Sequence, residues 1–69
     1  MGLVEVVDDG YYRIKRINGD THVRHHLENL GFVPGERLKV ISKTADGLIV
    51  NVKGSRVAVN NDAASMVVV

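Results

Sequence analysis

Cysteine is absent from this sequence, which excludes disulfides, thiolate metal sites and a cysteine nucleophile. Its absence also fits a reducing, cytosolic setting. No apolar run approaches the roughly 20 residues that a membrane-spanning helix needs. A single-sign charge field is missing too. Nine Lys and Arg are interspersed with eight Asp and Glu for a net charge of +1, whereas a nucleic-acid module usually carries a basic stripe. The opening MGLVEVVDDG has neither the basic leader nor the long apolar core of a signal peptide. It also lacks the Ser or Thr at the sixth position that accompanies myristoylation. Repeats, linkers and low-complexity segments are not found. What is present is apolar: 45% of the residues are hydrophobic, many of them valine, which excludes a disordered chain and favours strands. At 69 residues the chain is expected to form one domain spanning 1–69, near the lower size limit for folding without staples.

The stretch from Asp20 to Gly35 organises the rest. It reads as one short helix with a start, a stop and a turn out. Asp20 is placed to N-cap, and Val23, Leu27 and Leu30 make one apolar stripe at i, i+4, i+7. Gly31 stands where a left-handed residue ends a helix, and Phe32 is placed to fold back on the last turn. Pro34-Gly35 is a turn dipeptide.

Almost everything after Gly35 reads as short strands, and one more strand precedes the helix. Leu3 to Val7 is an apolar stretch, with Leu3 and Val7 expected under the core edge, closed by an Asp8-Asp9-Gly10 turn. Tyr11 to Ile17 reads as a first strand whose alternation slips, which predicts a bulge around Lys15-Arg16. Arg37–Lys43 is a second strand with Leu38 and Val40 inward. Asp46-Gly47 marks a hairpin into Leu48–Lys53, with Leu48, Val50 and Val52 on one face. Gly54-Ser55 marks another, into Arg56–Val59 with Val57 and Val59 inward. Asn60 or Asn61 caps a helical turn in which Ala63 and Met66 share a face. Val67–Val69 is a last strand that can pair with the first. A core of this size only just exceeds the ordering entropy at ~25 cal/mol per Å². The expected fold class is therefore mainly β: a small SH3-like five-stranded barrel with one helix between strands one and two and a helical turn before the last strand.

The ordered series GD–THVRHHLENLGFVPG, then ERLKV, then LIVNVKGSRVAVNNDAASMVVV resembles the FeoA family of ferrous-iron transport proteins, whose fold is similar to SH3 domains. The resemblance covers nearly the whole chain. It implies a helix-and-turn signature of Gly19, Asp20, Val23, Leu27, Leu30, Gly31, Pro34 and Gly35. It also implies a closing segment of Gly54, Arg56, Val57, Ala58, Val59, Ala63, Met66 and Val68. The chain departs from the family pattern at His25 and His26, where Arg or Lys is usual, and at Asp9-Gly10, where Pro-Gly is common. Such proteins are cytoplasmic accessories, not enzymes, of a membrane ferrous-iron transporter with a GTP-binding domain, called FeoB. Similar domains end some metal-dependent repressors; this chain resembles the free-standing form.

Four constellations bear on chemistry. His22 and His26 share a helix face, and His25 lies three residues from His22. These three are the candidate metal ligands for Fe²⁺ or another divalent ion. Asp20 and Glu28 are near in sequence, but no full ligand set converges, so no cofactor is expected. Ser42, Ser55 and Ser65 lack nucleophile context and Gly54-Ser55 is not a phosphate loop, so neither catalysis nor GTP binding is expected. Tyr11 and Tyr12 with Arg13, Lys15 and Arg16 resemble a stacking surface and make a nucleic-acid-binding barrel the alternative function. The fourth is apolar residues of the wrong parity: Ile41, Ile49, Val67 and Val69 are expected to point outward and are the candidate interaction residues. The expected function is regulatory or assembly support of ferrous-iron uptake, by docking on a FeoB-type transporter or, weakly, on a second copy.

Overall fold

The computed structural model describes residues 1–7 and 9–69. A 3-10 turn, Leu3–Glu5, opens the chain. Then come β1 (Tyr11–Arg13), β2 (Arg16–Ile17), α1 (Thr21–Asn29), β3 (Arg37–Lys43), β4 (Gly47–Val52), β5 (Ser55–Asn60), α2 (Asn61–Met66) and β6 (Val67–Val68). The turn expected at Asp8-Asp9-Gly10 falls partly outside the described residues. The fold is mainly β with two helices. The six strands among the described residues divide into an antiparallel sheet β1-β3-β4-β5 and a two-stranded ladder β2-β6, where the sequence led us to expect five strands in one barrel.

The difference originates in Tyr11–Ile17. Rather than one bulged strand, the segment changes partner at Ile14-Lys15. The Ile14 amide donates to the Glu36 carbonyl at 2.8 Å, and the Lys15 amide donates to the Val68 carbonyl at 2.7 Å. The break lets β1 pair with β3 while β2 pairs with β6, and it buries Ile14 between them. The bulge of this fold lies elsewhere, in β3. The register steps from Val40↔Val50 to Ser42↔Ile49, so Ile41 and Ser42 together oppose Ile49.

α1 starts and stops as its sequence specifies. The Asp20 carboxylate accepts from the Val23 amide at 2.9 Å. At the other end Gly31 has φ +109, its amide donates to Glu28, and the Phe32 amide donates to Leu27. These are the two bonds of a Schellman ending. That ending returns Phe32 into the core beside Leu27. It also corrects the expected stripe: Leu30, the cap residue, turns outward and is 37% exposed, while Phe32 is fully buried. The Val33 carbonyl accepts from the Glu36 amide at 2.9 Å around Pro34-Gly35, the turn expected there.

Both hairpins form, each displaced from its expected turn residues. Lys53 and Gly54, with φ of 53 and 76, turn β4 into β5, and Ser55 is already paired with Val52. The β3–β4 loop is Thr44–Asp46, where the Thr44 hydroxyl oxygen accepts from the Gly47 amide at 3.2 Å. Gly47 is the buried first residue of β4. A Cβ there would run into the Val59 carbonyl and lie 2.8 Å from Asn60 Cα, so β4 and β5 approach this closely only over glycine.

The core runs through Leu3, Ile14, Leu27, Phe32, Leu38 and Val50 among others, and no polar residue is buried among the described residues. At the N-terminus a 3-10 turn sets i and i+3 on one side, so Leu3 and Val6 go in. Val7, expected inward, is 86% exposed. The Lys43 ammonium donates to the Val4 and Val6 carbonyls at 2.8 and 2.7 Å and ties this segment to the end of β3.

Candidate interaction surface

The outer face of the four-stranded sheet is built by strand alternation. Leu38, Val40, Leu48, Val50, Val52 and Val59 are buried, so their sequence neighbours face away from the core. At one end of that outer face stand Ile41 and Ile49. Both are half-buried, and neither belongs to the core cluster or to the residues packed on it. The bulge in β3 sets Ile41 with Ser42 opposite Ile49, and Ile49 pairs on its other side with Ala58. A shallow hollow lined by Thr44, Ile49, Ala58 and neighbours lies there.

Val67 and Val69, the other two candidates, are corrected by the structure. Val67 is fully buried and Val69 nearly so, and both belong to the core cluster. Val68, which the same alternation sets inward, is buried too, and it pairs with Arg16 and bridges to Gly2. Three successive valines carry no alternation by which to set a phase. α2 runs directly into β6 with Val67 as its C-cap, and all three valines end up buried. Val67 and Val69 are therefore not outward-facing residues.

The histidines are all exposed. His22 and His26 line a groove of about 420 Å³ between α1 and α2, with Val23, Leu27, Ala63 and Met66 as its apolar lining and Asn60 and Asp62 as its polar partners. His25 is not among the residues lining it. No group of three or more His, Asp or Glu side chains able to hold a metal ion occurs among the described residues. Asp62 beside the histidine pair was invisible in the sequence, because it comes from a helix far along the chain.

The expected stacking surface is only partly assembled. Tyr11 is 68% exposed, whereas Tyr12 packs against the core. The cations around Tyr11 come from β3 rather than from β1–β2: Arg37 and Lys39 sit 5.6 and 5.7 Å from its ring centroid. Sequence reasoning missed both, since only the β1–β3 register, Tyr11↔Lys39 and Arg13↔Arg37, brings them together.

No helix is long and apolar enough to cross a membrane among the described residues. Comparison with known proteins agrees with this architecture. A structure of an iron uptake regulatory protein, FeoA, superposes with a TM-score of 0.89 at 26% identity over 97% of this chain and 91% of that one. FeoA of Stenotrophomonas maltophilia, solved with zinc and described as an SH3 domain protein, superposes at 0.82 with 26% identity over 99% and 87% of the two chains. The zinc-bound ScaR protein shares the fold at 0.89 and 17% identity, with this chain spanning 34% of its length. No curated sequence matches. The FeoA domain profile matches residues 1–69, from the N-terminal 3-10 turn through the Gly31 turn to the closing valines, and the chain therefore belongs to the FeoA family of ferrous-iron transport proteins.

Proposed function

We propose that this chain is a cytoplasmic accessory of ferrous-iron uptake that acts by binding rather than catalysis, docking on a FeoB-type membrane transporter through the apolar end of its outer sheet face. Family membership supports the iron-uptake setting. The observation that carries the docking surface is the pair Ile41 and Ile49: adjacent aliphatic residues that the core does not use, on a face of regular strands. Because both are already half-buried, docking adds only about half of the roughly 1.5–3 kcal/mol that full burial of such a side chain gives, before the entropy costs of association, which suits a transient complex. Docking regulates the transporter to the extent that it favours one of the transporter's states over another. Fe²⁺ is the transporter's cargo, and no step of this reading requires the chain to hold it.

Ile49→Asp tests the reading. The variant is expected to remain folded, with its melting temperature close to the parent's, and to lose co-purification with the transporter and support of iron uptake. Val50→Asp, one residue away and fully buried, is expected to unfold the domain. A folded Ile49→Asp variant that still binds the transporter rules this surface out.

A further inference from the structure

The outer sheet face has a second end, and its chemistry differs from that of the Ile41–Ile49 end. Tyr11, Lys39, Asn51 and Arg56 lie in one row across four strands, and Arg13 pairs with Arg37 in the next row. All six are exposed or nearly so. Lys53, from the β4–β5 turn, joins Tyr11, Arg37, Lys39 and Asn51 around a hollow of about 250 Å³. None of β1, β3, β4 and β5 contains an acidic residue. The chain is nearly neutral, yet its pairing register concentrates cations here. The acid at the margin is Glu36, 4.0 Å from Lys53, and among the described residues Arg37, Lys39 and Arg56 have no acidic partner. Arg13 donates to the Gly35 carbonyl at 2.9 Å.

We infer that this basic end binds a carboxylate-rich segment of a partner protein, one in which acidic residues on one face of an extended stretch are followed further along the same face by aliphatic ones. Neighbouring like charges on a sheet repel, and among the described residues no carboxylate pairs with Arg37, Lys39 or Arg56 to offset that repulsion. The Tyr11 ring holds the Arg37 and Lys39 head groups by cation–π attraction, so part of the ordering cost of a docking site is met before any ligand arrives. The Arg37 guanidinium is a fork matched to a carboxylate. The aliphatic half of the argument rests on the docking surface proposed above: β4 runs from Asn51 to Ile49, and β3 from Arg37 to Ile41 is about 13 Å at the ~3.3 Å rise of a strand. One extended segment can therefore cover both ends. A nucleic acid would satisfy the cations but offers nothing aliphatic to Ile41 and Ile49. It would also stack on a tyrosine that here already engages two cations.

The test uses defined probes and no transporter, so its failure is separate from failure of the docking reading. A peptide of about twelve residues, with glutamate at every second position of its first half, leucine at every second position of its second half and threonine between, is titrated against the full chain, beside its glutamine analogue and a single-stranded DNA of similar length. The glutamate peptide is expected to bind about tenfold or more tightly than the glutamine analogue, since hydrogen bonds to ionised groups are about twice as strong as neutral ones, and to weaken as salt is raised. Arg37→Glu combined with Lys39→Glu is expected to abolish that difference, with a melting curve confirming the fold; Arg37→Gln with Lys39→Gln replaces it should the reversed pair not fold. Equal binding of the two peptides, no binding of the glutamate peptide, or insensitivity to the substitutions overturns the inference. Tighter binding of the DNA than of the glutamate peptide overturns it in favour of a nucleic-acid surface.

Discussion

The β3–β4–β5 meander and the seam where the two chain ends meet are held by different means. In the meander every strand pairs with its sequence neighbour through loops of three and two residues. In the seam, Val68 is bridged to Gly2 and paired with Arg16, and the Val69 amide donates to the Met1 carbonyl at 2.8 Å. Both strands of its ladder are two residues long. Closing a long loop costs entropy that grows as the logarithm of its length, and two short strands offset little of it. The seam therefore depends on side-chain burial, by Leu3, Val6, Ile14 and Val67. The meander has both a continuous ladder and a buried face. One consequence is that backbone geometry should be the sensitive quantity in the meander and side-chain volume the sensitive quantity in the seam.

The largest expected effect tests the first half of that contrast. Gly47→Ala adds only a methyl group, but that methyl meets the Val59 carbonyl and the Asn60 backbone, neither of which can rotate away. The expected loss is about 3 kcal/mol or more, comparable with the ~3–5 kcal/mol that a core of this size supplies. The variant should be largely unfolded by circular dichroism without denaturant. Stability within about 1 kcal/mol of the parent would mean that β4 and β5 do not approach as closely as described.

A smaller effect tests the second half. Val67→Ala removes two buried carbons and leaves a cavity, for an expected cost of about 2 kcal/mol in urea unfolding. Ile49→Ala, on the half-buried outer face, should cost less than about 1 kcal/mol. If the two costs come out equal, or reversed, the last strand has the phase first expected from the sequence and Val67 is the surface residue.

The same contrast explains what was legible beforehand. Alternation over Arg37–Lys43 and Leu48–Lys53 identified the inward residues correctly, because the strands there are long enough to show a period. The caps of α1 were legible as well: Asp20 and Gly31 act through bonds to residues three or four positions away. Gly47 was assigned to a turn because Asp-Gly is a turn signal; its real constraint comes from β5, which local sequence does not reveal. In the seam, three valines in a row and a 3-10 turn read only as an apolar stretch left both phases unreadable. The outer face was half legible. Parity found Ile41 and Ile49, while the basic end stayed hidden because its cations come from four separated segments and cancel in the net charge.

The smallest expected effect falls where the two regions join. β5 ends at Asn60 and α2 begins at Asn61, so the last residue of the meander caps the helix leading into the seam. The Asn60 side-chain oxygen accepts from the Ala63 amide at 2.8 Å. Asn61, the other candidate cap, instead donates its side-chain amide to the Ala45 carbonyl at 2.9 Å, while its backbone amide donates to Asp46 at 3.0 Å. The two adjacent asparagines thus do different work: one starts α2, the other ties it to the β3–β4 loop. Asn60→Ala is expected to cost about 1 kcal/mol. Asn60→Asp should restore nearly all of that, since a carboxylate accepts the same bond and favours the positive end of the helix. Asn61→Asp cannot donate to Ala45 and should destabilise by about 0.5–1.5 kcal/mol, the net worth of one hydrogen bond. Chemical denaturation of the three variants distinguishes the roles by the opposite response of the two positions to aspartate. If aspartate is tolerated at 61 and harmful at 60, the cap belongs to Asn61, and the meander ends one residue later than described.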